Sequence, residues 1–264
     1  KLLVTCSRWS NVKVIRNEPN LGVIRTFEKG LRLSTAPYVM LCDQDDVWLT
    51  DKIRLSFEKM REIEGESPAM VFTNLRTVDQ KLNTLRERML DFDRFDSALE
   101  KHQLLFRNLV TGCTVMLNRK LIEIVLPFPP VVPMHDHWLA ICAAFAGKLG
   151  FVSQPTILYR QHSANLVGQP KRELSARAKK PFATFAQFNK GLAQKARQTH
   201  ELSKRLPEGA DKAFTEAVAR AFEKNSPRDL RFLIRTRVFD ADWISLPLIC
   251  ALYLIPSRAR HAPQ

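Results

Sequence analysis

The segment Tyr38-Val39-Met40-Leu41-Cys42-Asp43-Gln44-Asp45-Asp46 constrains this chain more than any other. Its apolar half reads as a strand buried on both faces, the pattern of a central strand in a parallel sheet. Three carboxylates follow at once. Acids in that position stand at the carboxyl end of a strand, where open α/β sheets bind their ligands. Burying them without compensation is costly, so solvent or a cation must face them. Hard ions such as Mg²⁺ or Mn²⁺ take oxygen ligands, and Mg²⁺ commonly combines carboxylates with substrate phosphates. The competing reading is that these acids cap the next helix and decorate a loop.

The flanking sequence alternates strand and helix, which predicts an α/β fold. Residues 12–16 alternate as a half-buried strand, and Asn17–Gly22 is a loop. Val23, Ile24, Phe27 and Leu31 mark a helix to about Leu33. A second helix begins near Thr50, a candidate cap, with Ile53, Phe57 and Met60 on its apolar face. Further strands are expected at 70–73, 110–117, 151–152 and 156–160, with a turn at Asp79–Asn83. Pro127, Pro129, Pro130 and Pro133 make a non-helical connection into a short helix over 137–146. Beyond Gly168 the chain turns Ala-, Lys- and Arg-rich and helical over 171–237. This divides it into a domain over 1–168 and a basic helical extension over 169–264.

Charge follows the same division. Residues 165–264 carry 19 Lys and Arg against 9 Asp and Glu, a net +10 of the total +14. A solvated helical surface is the default reading of that basic part. Contact with an anionic membrane surface comes second, supported by the apolar run 243–255 with Arg258 and Arg260 after it. The run is shorter than the roughly 20 residues a membrane span needs. Nucleic-acid binding ranks last, because no recognition motif accompanies the charge. The five cysteines include no C-x-x-C pair, which argues against a zinc site or disulfide framework and fits a reducing compartment. The opening Lys1-Leu2-Leu3-Val4 reads as the interior of a domain, so a preceding segment is expected.

Asn20-Leu21-Gly22, Tyr38 to Trp48 with Asp43-Gln44-Asp45-Asp46, Lys52-Ile53, Thr111-Gly112-Cys113, His135-Asp136-His137-Trp138 and Tyr159-Arg160-Gln161-His162 occur in this order. Together they resemble glycosyltransferase family 2, in particular its bacterial rhamnosyltransferase-like branch. The resemblance implies a GT-A fold: a mixed, mostly parallel sheet flanked by helices, here without the first strands that carry most nucleoside contacts. It also implies inverting transfer of a sugar from a nucleoside diphosphate. The donor would be dTDP-L-rhamnose or else a UDP-sugar, and the acceptor a glycan or polyprenyl-linked glycan of bacterial surface polysaccharide such as O-antigen. Such an enzyme would work in the cytoplasm, on the inner face of the inner membrane.

In that family the DxD motif divides its work: Asp43 would contact the ribose or donor sugar, and Asp45 the metal that bridges the diphosphate. Asp46 would support either role. Asp136 would be the catalytic base, although it also stands where a cap of the 137–146 helix belongs. His162 would be a further metal ligand, tilting preference toward Mn²⁺ over Mg²⁺. Gly112 and Cys113 would line donor and acceptor. Arg25, in the first turn of its helix, either helps hold the diphosphate or is a solvated surface cation. Trp48, Trp138, His135 and His137 read as packing or hydrogen-bonding residues. A metal-dependent nucleotidyltransferase, or a non-catalytic homologue binding anions through its basic part, are the rival readings.

Overall fold

The computed structural model describes residues 9–91, 97–161, 181–224 and 226–239. Helix α1 (Gly22–Leu33) is launched by a tight turn in which Asn20 Oδ1 accepts the Gly22 N–H at 2.8 Å. Gly22 has φ +70°, a conformation that glycine adopts without steric penalty. Strand β1 (Tyr38–Met40) leads through the carboxylate loop to β2 (Val47–Trp48) and α2 (Lys52–Ile63). Then come β3 (Ala69–Val78), β4 (Thr84–Arg86), α3 (Ser97–Leu104), a 3-10 turn at Gly112–Thr114 and β5 (Val115–Asn118). Helices α4 (Arg119–Val125) and α5 (His135–Ala146) precede β6 (Lys148–Arg160). The C-terminal part folds as α6 (Pro181–Ser203), α7 (Ala210–Lys224) and α8 (Pro227–Arg235).

The six strands form one mixed sheet in the order β1-β5-β3-β6-β2, with β4 alongside β3. β3 and β6 run parallel, and the other described pairings are antiparallel. β3 is the central strand. Its alternate residues face opposite layers: Met70 and Phe72 join the large core with α1, α4 and α5, while Ala69 and Val71 pack with Met60 of α2. The sheet therefore carries helices on both faces. This mixed α/β sheet with an added helical part is consistent with the GT-A fold.

Several sequence expectations are corrected. Tyr38–Cys42 is not a central parallel strand: only Tyr38–Met40 are extended, half-buried and paired antiparallel with β5. The long fully buried run is Ala69–Leu75 instead, on the strand at the centre of the order, with β5 and β6 on its edges and helices over both faces. Residues 12–16 form no strand; Val12, Val14 and Ile15 are exposed, with no ladder to bury them. On α2 the buried positions are Lys52, Ser56 and Met60, whereas Ile53 and Phe57 face outward. Met60 is buried as expected, while the rest of the inward face shifts one position back, from Ile53 and Phe57 to Lys52 and Ser56.

The two short strands expected at 151–152 and 156–160 are one strand. Pro155, which has no N–H for the ladder, falls where the β3–β6 register slips, and the Thr73–Thr156 hydroxyl pair at 2.6 Å bridges the irregularity. Gly112 lies in a 3-10 turn rather than within a strand. The Asp79–Asn83 turn forms as expected, with Asp79 Oδ1 accepting the Lys81 and Asn83 N–H groups.

Helices α6–α8 share the sheet's main core. Leu192, Ala196, Leu202, Phe222 and Leu233 belong to one cluster with Trp138, Leu139 and Phe72. Arg205, in the turn after α6, donates to the carbonyls of Ile124 and Pro127 at 3.0 and 2.6 Å, with its guanidinium 4.8 Å over Trp138. The division expected at residue 168, the apolar run 243–255 and the two arginines beyond it lie outside the described residues. Among the described residues no helix is long and apolar enough to cross a membrane.

Candidate active site

The loop Leu41–Asp46 is held by strands that are distant in sequence. β2 pairs with β6 through Val47–Leu158 and Trp48–Ile157, which fixes the far end of the loop. Arg160 then binds it twice: its backbone N–H donates to Asp46 Oδ1 at 3.0 Å, and its Nε to the Asp45 carbonyl at 2.8 Å. Below the loop, Cys113 is fully buried with Leu75 and Ile157, against Trp48.

A carboxylate oxygen of Asp43, one of Asp46 and the Cys113 sulfur all lie within 4.8 Å of one another. Burial pushes the Asp43 carboxyl up to about 6, helped by the charges of Asp46 and Asp45. Asp46 is also raised by burial, against the opposing pull of the Cys113 thiol and the Arg160 backbone N–H. Among the described residues, Asp46 Oδ2 is buried and meets no hydrogen-bond donor of ordinary geometry. Crowded, desolvated acids with an unsatisfied oxygen are the donor set a divalent cation neutralises, so these residues fit one. Asp45 stands in the same loop, but its carboxylate is not in that group.

Lys52 also reaches this region, at the start of α2. It is fully buried with an unpartnered ammonium 4.9 Å from the Trp48 ring centroid. Burial lowers it to about 8, against the opposing influence of Cys113, Cys42 and Asp46. Sequence reading placed Lys52 in a motif without giving it a role.

Asp136 lies in the first turn of α5, whose cap is Met134, so Asp136 is not the helix cap. Asp136 is 8% exposed. Its Oδ1 accepts from Asn108 Nδ2 at 2.9 Å and from the His137 backbone N–H at 2.7 Å, and its Oδ2 from the Gly112 N–H at 3.2 Å. Burial nonetheless raises it to about 6, and the Asp43 charge adds to the rise. The 3-10 turn thus brings Gly112 onto Asp136, and the carboxylate loop lies close enough for Asp43 to be felt there. Asn108 was not legible as a site residue, because nothing local connects it to a carboxylate 28 positions away.

His135 packs over Gly112 and stacks on Phe27 with ring centroids 4.1 Å apart. Arg25 is engaged elsewhere: its guanidinium pairs with Glu28 and donates to the Phe128 carbonyl at 2.9 Å. Trp138 is buried, with its indole N–H on the Val125 carbonyl at 3.1 Å. His162 lies outside the described residues.

The mixed sheet and its flanking helices agree with the GT-A fold. Residues 3–124 match the family model described as glycosyl transferase family 2, which supports that family and a glycosyltransferase. Asp136 and the C-terminal helices lie beyond the matched span. No curated protein matches the chain.

Proposed function

We propose that this chain is an inverting glycosyltransferase of the rhamnosyltransferase-like branch, acting with Mn²⁺ or Mg²⁺. The observation that carries this reading is Asp136: a buried carboxylate held by three donors, one of them the Gly112 N–H. In the reaction Asp136 takes the proton of an acceptor hydroxyl as that oxygen attacks the anomeric carbon. The bond from that carbon to the diphosphate oxygen breaks, and the nucleoside diphosphate leaves. Asp45, Asp46 and His162 are the proposed metal-holding residues, with Asp43 orienting the ribose or donor sugar and, from its place beside the Asp46 carboxylate, adding negative charge that favours the cation. The cation supplies charge stabilisation for the departing diphosphate. Gly112 serves by fixing Asp136, which also places the backbone of its turn beside the reacting groups.

dTDP-L-rhamnose is the favoured donor and a polyprenyl-linked surface glycan the favoured acceptor, met at the cytoplasmic face of the bacterial inner membrane. The test is release of nucleoside diphosphate from dTDP-L-rhamnose and from UDP-sugars, with Mn²⁺ and a polyprenyl-linked acceptor. Acceptor-dependent release that is lost in Asp136→Asn is expected. Release that survives Asp136→Asn unchanged overturns the base assignment.

A further inference from the structure

Gln198 is a buried polar residue on α6, and its amide reaches the residue next to Asp136. Its Nε2 lies 3.3 Å from His137 Nδ1, and His137 Nε2 lies 2.6 Å from the Leu104 carbonyl. A carbonyl can only accept, so Nε2 carries the ring proton and Nδ1 is left as the acceptor for the Gln198 amide. The ring is thereby gripped at both ends, between the C-terminus of α3 and the C-terminal part of α6. Burial holds it neutral, with a lowered pKa of about 4. The backbone N–H of this same residue makes the shortest of the three bonds to Asp136.

Resting on the reading of Asp136 as the base, we propose that Gln198 is a positioning residue for it. By clamping the His137 ring it fixes the first turn of α5, and so the direction in which the Asp136 carboxylate points. The helical C-terminal part then belongs to the catalytic apparatus and is more than a basic appendage. Gln198 Oε1 is buried without a partner. The core thus carries an unsatisfied amide oxygen alongside the bond to His137, where an apolar side chain of similar length would remove both and leave His137 Nδ1 without its donor.

Gln198→Met, in the full chain, separates positioning from mere packing. The variant should melt close to the temperature of the parent protein, because it exchanges one unsatisfied buried atom, Gln198 Oε1, for another, His137 Nδ1. Amide hydrogen exchange at His137 should speed up at least tenfold, while Ala140–Phe145 of α5 keep their protection. With dTDP-L-rhamnose and Mn²⁺, kcat should fall about tenfold and donor KM stay within twofold, the rate equivalent of one hydrogen bond. His137 exchange unchanged from the parent, or kcat within twofold of it, overturns the proposal. Asp136→Asn is measured alongside. If it retains full turnover, the base assignment fails; if it collapses while Gln198→Met does not, only the positioning role fails.

Discussion

The backbone N–H of Gly112 donates to Oδ2 of Asp136 across 3.2 Å, joining two motifs that lie 24 residues apart in the chain. Any side chain at Gly112 would disturb that join, since a Cβ there would sit 2.6 Å from His135 Nε2. Gly112→Ala should destabilise the protein by about 1–3 kcal/mol, the range for overpacking. Adding His135→Ala should recover part of that loss, because the clash and its relief share one space. Thermal unfolding of the two single variants and the double variant measures the coupling, and strict additivity would count against it.

Asp136→Asn should trade activity against stability. Proton transfer by a positioned base contributes about 100- to 10,000-fold, so kcat should drop within that range while donor affinity holds. The folded-state pKa of Asp136 is raised, to about 6 from 3.8. The native state therefore binds the extra proton, and the penalty of the buried charge is present above pH 6 and absent below about pH 4. The stability of the variant relative to the parent should accordingly rise between pH 4 and pH 8, by about 2–3 kcal/mol. Denaturant melts at the two pH values measure this directly.

Cation binding at the acidic loop should weaken on acidification. The Asp43 carboxyl titrates near 6, so protons compete with a metal as the pH falls through that value. Calorimetric titration with Mn²⁺ should show affinity falling by about fourfold between pH 7.5 and 5.5 from this one group. Asp43→Asn should lower affinity at both values and flatten the dependence.

Arg160→Met should loosen the carboxylate loop without unmaking the sheet. It removes the bond to the Asp45 carbonyl and another to the Gln80 carbonyl, at 2.8 Å each, while the backbone donor to Asp46 remains. Mn²⁺ affinity should fall about tenfold, as for loss of a charge-assisted hydrogen bond. Unchanged Mn²⁺ binding would show that β2–β6 pairing and the backbone donor to Asp46 hold the loop without the guanidinium.

Arg25 offers a contrast. Burial raises the Glu28 carboxyl, but Arg25, Arg32 and the Phe128 backbone N–H together outweigh it and hold its pKa low. Arg25→Met should therefore cost stability, by about 1 kcal/mol given its part exposure, and leave donor affinity unchanged. A large loss of donor affinity with stability intact would favour the diphosphate role.

The sequence by itself determined the order of chemistry along the chain. A strand followed by acids, a glycine turn, a proline-stiffened connection and a helix bearing Asp136 could all be read from local patterns, since hydrophobic period, turn residues and acid clusters are properties of neighbours. The tertiary structure decided what those residues touch. It made β3 rather than Tyr38–Cys42 the central strand, turned Lys52 inward on α2, and placed Asn108, Gly112 and His137 around Asp136. It also packed α6–α8 into the core that carries Trp138. Burial on both faces of a strand depends on which strands and helices flank it, and hydrogen bonds across dozens of residues depend on how the sheet closes. Neither leaves a mark on local spacing, so the carboxylate cluster was legible early and its surroundings became so only in three dimensions.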